Sequence, residues 1–205
     1  MSDFRGWNED FQRFFVGLQL DNSKRYFEAN RKVYEQEVRD PMAALLSSLE
    51  PEFGPAKLSR PNRDIRFSKD KSPYKLNIYA HGSGGYVSLD AKGLVAAGGR
   101  YMMEPPVVGK YREAAAKDAS GEPLQEIVAG LEKKGYEMGG EELKRVPSPY
   151  PQDHPRARLL RHKYLIYWKN FGLQPWLGTP KARDHIARTW HDGDELEAWF
   201  KRYVD

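Results

Sequence analysis

The stretch LNIYAHGSGGYVSLDAKGLVAAGGRYMM, residues 76–103, constrains the fold of this chain more than any other. It holds three extended, apolar-rich runs separated by Gly82-Ser83-Gly84-Gly85 and Asp90-Ala91-Lys92-Gly93. Both separators supply residues that tolerate the positive φ of hairpin turns, and neither is long enough for the crossover that parallel strands need. The spacing therefore predicts an antiparallel meander. Just upstream, Ile65 and Phe67 alternate with Asp64, Arg66 and Ser68, a period of two that predicts a further strand with one apolar face.

On either side the period lengthens to that of a helix. Phe11, Phe14, Phe15 and Leu18 line one face of a predicted helix from Glu9 to Leu20, with Asn8 as its cap. A second helix is expected from Ser23 or Lys24 to Arg39, and a third from Asp40-Pro41 to Leu49. Later helices are predicted from Pro105-Pro106 to about Lys117, from Glu122 to Lys134, and from a cap at Asp153 through Leu160. A strand at YLIYW follows, then two helices that start after Thr179-Pro180 and are separated by Gly193. No repeat or linker interrupts the chain. The expected fold is α+β: one domain over residues 1–205, with an antiparallel meander core flanked by N-terminal, middle and C-terminal helices.

Apolar residues make up 40% of the 205, including five Trp, twelve Tyr and nine Phe, enough to bury a substantial core. Cysteine is absent, which excludes disulfides, thiolate catalysis and thiolate metal sites. No apolar run approaches the ~18–20 residues that span a bilayer. The start, MSDFRGWNED, lacks a signal pattern, so a soluble cytoplasmic protein without a membrane partner is expected.

The charges are unevenly spread. Arg60–Lys75 carries a net +4, Lys144–Lys163 a net +5, and the rest of the chain a net −5. A cation cluster on an otherwise acidic chain attracts anions. In the first cluster, RPNRDIRFSKDKSPYK, an extended Asp64–Ser68 would turn Arg63, Ile65 and Phe67 to the same, inward face. A buried guanidinium needs a carboxylate, backbone carbonyls or a ligand anion beside it. Asp64 lies between two arginines and is expected to stay ionised, which suits it to orienting an arginine and not to general-base work. Asp64 and Asp70 cannot neutralise six cations, so an internal ion-pair scaffold would need further acids such as Glu28, Glu35 or Glu37. Ser68, Ser72, Tyr74 and the backbone amides near Asp70-Lys71 are candidate donors to an anion held in a turn.

The pattern R-x-x-R-D-x-R-F followed by D-K-x-x-Y is formed here by Arg60, Arg63, Asp64, Arg66, Phe67, Asp70, Lys71 and Tyr74. In this it resembles a bacterial and fungal family of unknown function. LDNSKRYFEANRKVYE is similar to that family's early helix, GYVSLDAKGLVAAGGRYM to its glycine-rich strands, and LKRVPSPYPQDHPRARLLRHK to its late segment. The resemblance covers most of the chain and implies membership, while the chemistry is left to the residues.

Two classes of function stay open, and with them whether the protein is an enzyme. In the first, a small phosphate- or carboxylate-bearing ligand is gripped by Arg60, Arg63 and Arg66, oriented by Asp64 and bordered by Lys71, Tyr74 and Lys75; Arg31 and Arg100 are further candidate contacts. If chemistry follows, Tyr74, His81 or Lys75 would move a proton. In the second, both basic segments serve a nucleic acid or another polyanion, or the Arg–Asp motif is a scaffold within an interaction protein. Asp153-His154, His162 and the pair His185/His191 lack metal-site spacing, and neither metal nor cofactor is expected. The Ala96–Arg100 strand has little bulk, which suits close packing by a helix or room for a ligand.

Overall fold

The computed structural model describes residues 3–205, so Met1 and Ser2 of the start read for a signal pattern lie outside it. Two compact units are distinguished: residues up to Ala96 together with Asn170–Arg188, and Ala97–Lys169 together with Thr189–Asp205. The fold is α+β, and its six strands, β1 (Ala56–Leu58), β2 (Asn77–Gly82), β3 (Gly85–Asp90), β4 (Gly93–Arg100), β5 (Glu137–Gly139) and β6 (Leu165–Gly172), follow the order β1-β2-β3-β4-β6-β5 in an antiparallel sheet.

In the first unit, α1 (Asp10–Leu20) buries Phe11, Phe14, Phe15 and Leu18, the face read from the sequence. Asn8 Oδ1 accepts the Asp10 N–H at 2.9 Å, satisfying one free donor at the helix start. Ser23 caps α2 (Lys24–Ala29) by accepting the Tyr26 N–H at 3.1 Å. The single helix expected through Arg39 is instead segmented: α2 is followed by α3 (Arg31–Val33) and a π-helical turn over Tyr34–Arg39, which runs directly into α4 (Asp40–Phe53). Asp40 is thus helical and does not act as a cap. Pro41 explains the widening. It has no N–H for the carbonyl four residues back and its ring crowds that carbonyl, whereas the Asp40 N–H reaches five residues back to the Glu35 carbonyl. The helix also runs past Leu49 to Phe53, where Gly54 takes φ 77° and stops it.

A strand missed in the sequence, β1 (Ala56–Leu58), pairs antiparallel with β2 (Asn77–Gly82). The predicted hairpin from β2 to β3 (Gly85–Asp90) is present, with Gly82 opposite Gly85 and Asn77 opposite Asp90. Asp90 Oδ1 accepts the Lys92 N–H at 2.7 Å and shapes the turn into β4 (Gly93–Arg100). Ile78, Ala80, Val87, Leu89, Leu94 and Ala96 are buried, as alternation requires in a sheet with helices on a face.

The second unit contains α5 (Pro105–Ala116), α6 (Asp118–Lys133), β5 (Glu137–Gly139) and α7 (Ala157–Arg161). The sequence missed β5. No Asp153 cap opens α7; His154 Nδ1 accepts the Arg156 N–H at 3.0 Å in its place. β6 (Leu165–Gly172) pairs with β5, Met138 opposite Tyr167. After the 3₁₀ turn Pro175–Gly178 come α8 (Lys181–Asp192), preceded by Thr179-Pro180, and α9 (Asp194–Tyr203). The core of this unit gathers Tyr111, Leu124, Leu131, Leu160, Tyr167, Leu196, Trp199 and Phe200. The small residues of β4 are taken up by packing: a Cβ on Gly98 or on Gly193 would come within 2.2 or 2.0 Å of the Tyr167 hydroxyl. Among the described residues, no helix is long and apolar enough to cross a membrane.

Candidate functional site

The strand expected at Asp64–Ser68 does not form. Residues 63–73 make an irregular loop closed by a single antiparallel bridge, Asn62 to Tyr74, in which the Arg63 N–H donates to the Pro73 carbonyl (2.9 Å) and the Lys75 N–H to the Pro61 carbonyl (2.8 Å). Two aspartates bend the loop. Asp64 Oδ1 accepts the Arg66 N–H at 3.3 Å and Asp70 Oδ1 the Ser72 N–H at 2.9 Å, local bonds that compete with strand pairing. Phe67, expected inside, is 96% exposed, and Arg63 is only half-buried.

The loop is anchored from beneath. Tyr74 is buried and its ring stacks on Phe27, centroids 4.1 Å apart and 6° from parallel. Asn22, between α1 and α2, mimics a neighbouring strand: its amide donates to the Tyr74 carbonyl (3.0 Å) and its Oδ1 accepts the Tyr74 N–H (3.1 Å). Lys75 Nζ donates to the carbonyls of Arg60 (2.5 Å) and Asn62 (2.7 Å), which ties the two arms together. Lys71 Nζ donates to the Ile65 carbonyl at 3.0 Å.

Against this loop lies a pocket of about 440 Å³ lined by Asn22, Arg63, Asp64, Asp70, Ser72, Tyr74, Lys75, Leu76 and Asn77. Arg66 grips Asp64 in a two-pronged pair, Nε to Oδ1 at 3.0 Å and Nη2 to Oδ2 at 2.7 Å. Arg63 Nη1 pairs with Asp70 Oδ2, whose other oxygen accepts the Ser72 hydroxyl at 2.7 Å. Ser72 is therefore occupied by Asp70. Both aspartates are held below the usual carboxylate range: Asp64 chiefly by the Arg66 guanidinium, and Asp70 chiefly by the Ser72 hydroxyl and amide, with Arg63 adding to them. Burial lowers the pKa of Lys75, and the nearby Arg60 charge lowers it further.

The ion-pair scaffold thus accounts for Arg63 and Arg66 alone. Among the described residues, Arg60, Lys69, Lys71 and Lys75 make no ion pair, though the Arg60 charge also helps hold Asp64 ionised. The acids that a complete scaffold would need are engaged elsewhere. Glu28 and Glu35 pair with Arg31, Glu28 at 2.6 Å and Glu35 at 3.8 Å, and Glu37 accepts the Asn8 amide at 2.6 Å.

Other candidates fall outside the pocket lining. Arg31 is held by Glu28 above the Phe27 ring. His81 is exposed at the end of β2, opposite Lys57 and Tyr86. Arg100 belongs to the second unit and pairs there with Glu197 and Asp205, each at 2.6 Å. The late basic segment is largely neutralised from outside itself. Arg156, almost fully buried, caps the Ala115 and Ala116 carbonyls and pairs with Asp118. Arg158 pairs with Glu132, Arg161 with Glu142, and Lys163 with Glu141.

A family model described as conserved hypothetical protein (DUF2461) matches residues 10–199. The chain belongs to that family. No curated protein and no solved structure matches it. In this DUF2461 chain the sequence pointed to Arg63, Asp64, Ser72, Tyr74 and Lys75 of the pocket wall, while Arg60, Arg66 and Lys71, also expected at the site, do not line it. It missed Asn22, Leu76 and Asn77 as lining residues. Asn22 carries no signal of its own, because its role depends on the loop 52 residues away.

Proposed function

We propose that the protein binds a small phosphate- or carboxylate-bearing ligand in the pocket under the Arg63–Pro73 loop. The observation that carries this reading is the unmatched charge. Arg63 and Lys75 line the pocket with Asp64 and Asp70, while Arg60, Lys69 and Lys71 of the same segment make no ion pair among the described residues, and the acids that could quench them are paired elsewhere. A volume of about 440 Å³ suits a small metabolite and is too small for a macromolecular partner to fill as a groove. Two of the three Lys75 ammonium donors hold the loop, and the third is left for an anion oxygen. Arg63, set by Asp70, offers its remaining N–H groups beside it. Should chemistry follow binding, Lys75 is the candidate whose pKa is lowered, first by burial and then by the Arg60 charge. The polyanion reading loses support, since four of the six bases in the late segment are already paired.

Isothermal titration with inorganic pyrophosphate and ribose 5-phosphate tests the proposal. Both should bind the wild type, and Arg63→Lys should weaken them at least tenfold with an unchanged circular dichroism spectrum, because lysine keeps the charge but loses the planar fork. Binding that ignores Arg63→Lys and Lys75→Gln alike, in folded variants, would overturn it.

A further inference from the structure

Resting on the anion-pocket reading, we infer that the ligand is a nucleotide, whose phosphate enters the pocket and whose base stacks on Phe67. A phenylalanine 96% open to solvent, in a loop that anchors its other aromatic, Tyr74, in the core, is a costly exposure that internal packing does not explain. Two contacts link it to the pocket wall. Asp64 lines the pocket wall, Arg66 is clamped on Asp64 through two hydrogen bonds, and the Arg66 guanidinium lies 6.0 Å from the centroid of the Phe67 ring. The chain of contacts therefore runs from the pocket wall at Asp64 through Arg66 to an exposed aromatic of the same loop. Phosphate and base are separated in a nucleotide by a polar sugar, and the wall between pocket and ring here is likewise polar. Guanidinium and phenyl faces are the two side-chain surfaces on which a flat base stacks without regard to its identity. Arg60 and Lys69, which make no ion pair among the described residues, add positive charge in the same segment. A free mononucleotide and one unit of a single strand present the same chemistry to this site.

The test compares ribose 5-phosphate, adenosine 5′-monophosphate and adenosine by titration calorimetry on the wild type, Phe67→Ala and Phe67→Tyr. Stacking of one base predicts that the mononucleotide binds the wild type about 5- to 150-fold more tightly than ribose 5-phosphate. Phe67→Ala should remove that advantage and leave ribose 5-phosphate unaffected, and Phe67→Tyr should keep it. If ribose 5-phosphate binds and the mononucleotide binds no better, or Phe67→Ala leaves the advantage intact, the base contact is refuted and the anion pocket stands. If none of the phosphates binds, both readings fall. Adenosine binding as tightly as its monophosphate would also refute the inference. A short oligothymidylate identifies the source: tighter binding than thymidine monophosphate, with steep loss in salt, assigns the base to a strand, and equal affinity assigns it to a free nucleotide.

Discussion

Single residues decide whether the loop is a scaffold or a receptor. Asn22 holds the backbone of buried Tyr74 through two hydrogen bonds, so Asn22→Ala strands a donor and an acceptor and should cost about 1–3 kcal/mol in urea denaturation. A second residue-scale effect concerns His162, which is 1% exposed with neither ring nitrogen hydrogen-bonded. Its pKa is lowered, first by burial and further by Arg158 and Arg161, while Glu142, 3.4 Å from Nε2, pulls the other way; Arg112 meets only its carbonyl. A depressed folded pKa means that the unfolded chain takes up the proton first. Stability is then full above about pH 6.5, falls as pH drops below it, and levels off only beneath the folded value. Thermal melts from pH 8 to 5 should show that decline, and His162→Gln should flatten it. The arginine pairings were not legible in advance. Asp64 and Arg66 are two residues apart, and alternation alone places them on one face of a strand, but the same proximity lets the aspartate capture the Arg66 N–H and bend the chain out of a strand.

At the scale of elements, the meander and the helices with strong apolar faces were readable because local period and turn chemistry agree there. Gly82 to Gly85 and Asp90 to Gly93 form hairpin turns whatever surrounds them. The three-residue strands β1 and β5 are too short to show a period, and exist only because a neighbouring strand offers an edge. The π turn before Pro41 was invisible because proline usually reads as a helix start. Packing on β4 gives a direct check. Gly98→Ala places a methyl against the Tyr167 hydroxyl and should cost about 1–3 kcal/mol. Tyr167→Phe in that background should recover little, since Cζ and Cε1 of the ring also lie 2.5 and 2.8 Å from the added methyl, whereas Tyr167→Leu should recover more.

Over the whole molecule, charge is the quantity that sequence and structure weigh differently. Two segments of similar net charge, +4 and +5, look equivalent in a list of residues. In the fold, Asp118, Glu132, Glu141 and Glu142 meet the second, and no comparable set meets the first. Pairing of this kind is set by elements distant in the chain, which is why it could not be read from the segments themselves. The anion is proposed to be received by the cations of Arg60–Lys75, of which Arg63 and Arg66 alone are paired. Hydrogen exchange of the intact protein with and without pyrophosphate tests this most directly. Added protection is expected, confined to residues 61–77 and the Asn22 region. Unchanged exchange there at saturating pyrophosphate, or protection centred on Lys144–Lys163, would contradict it.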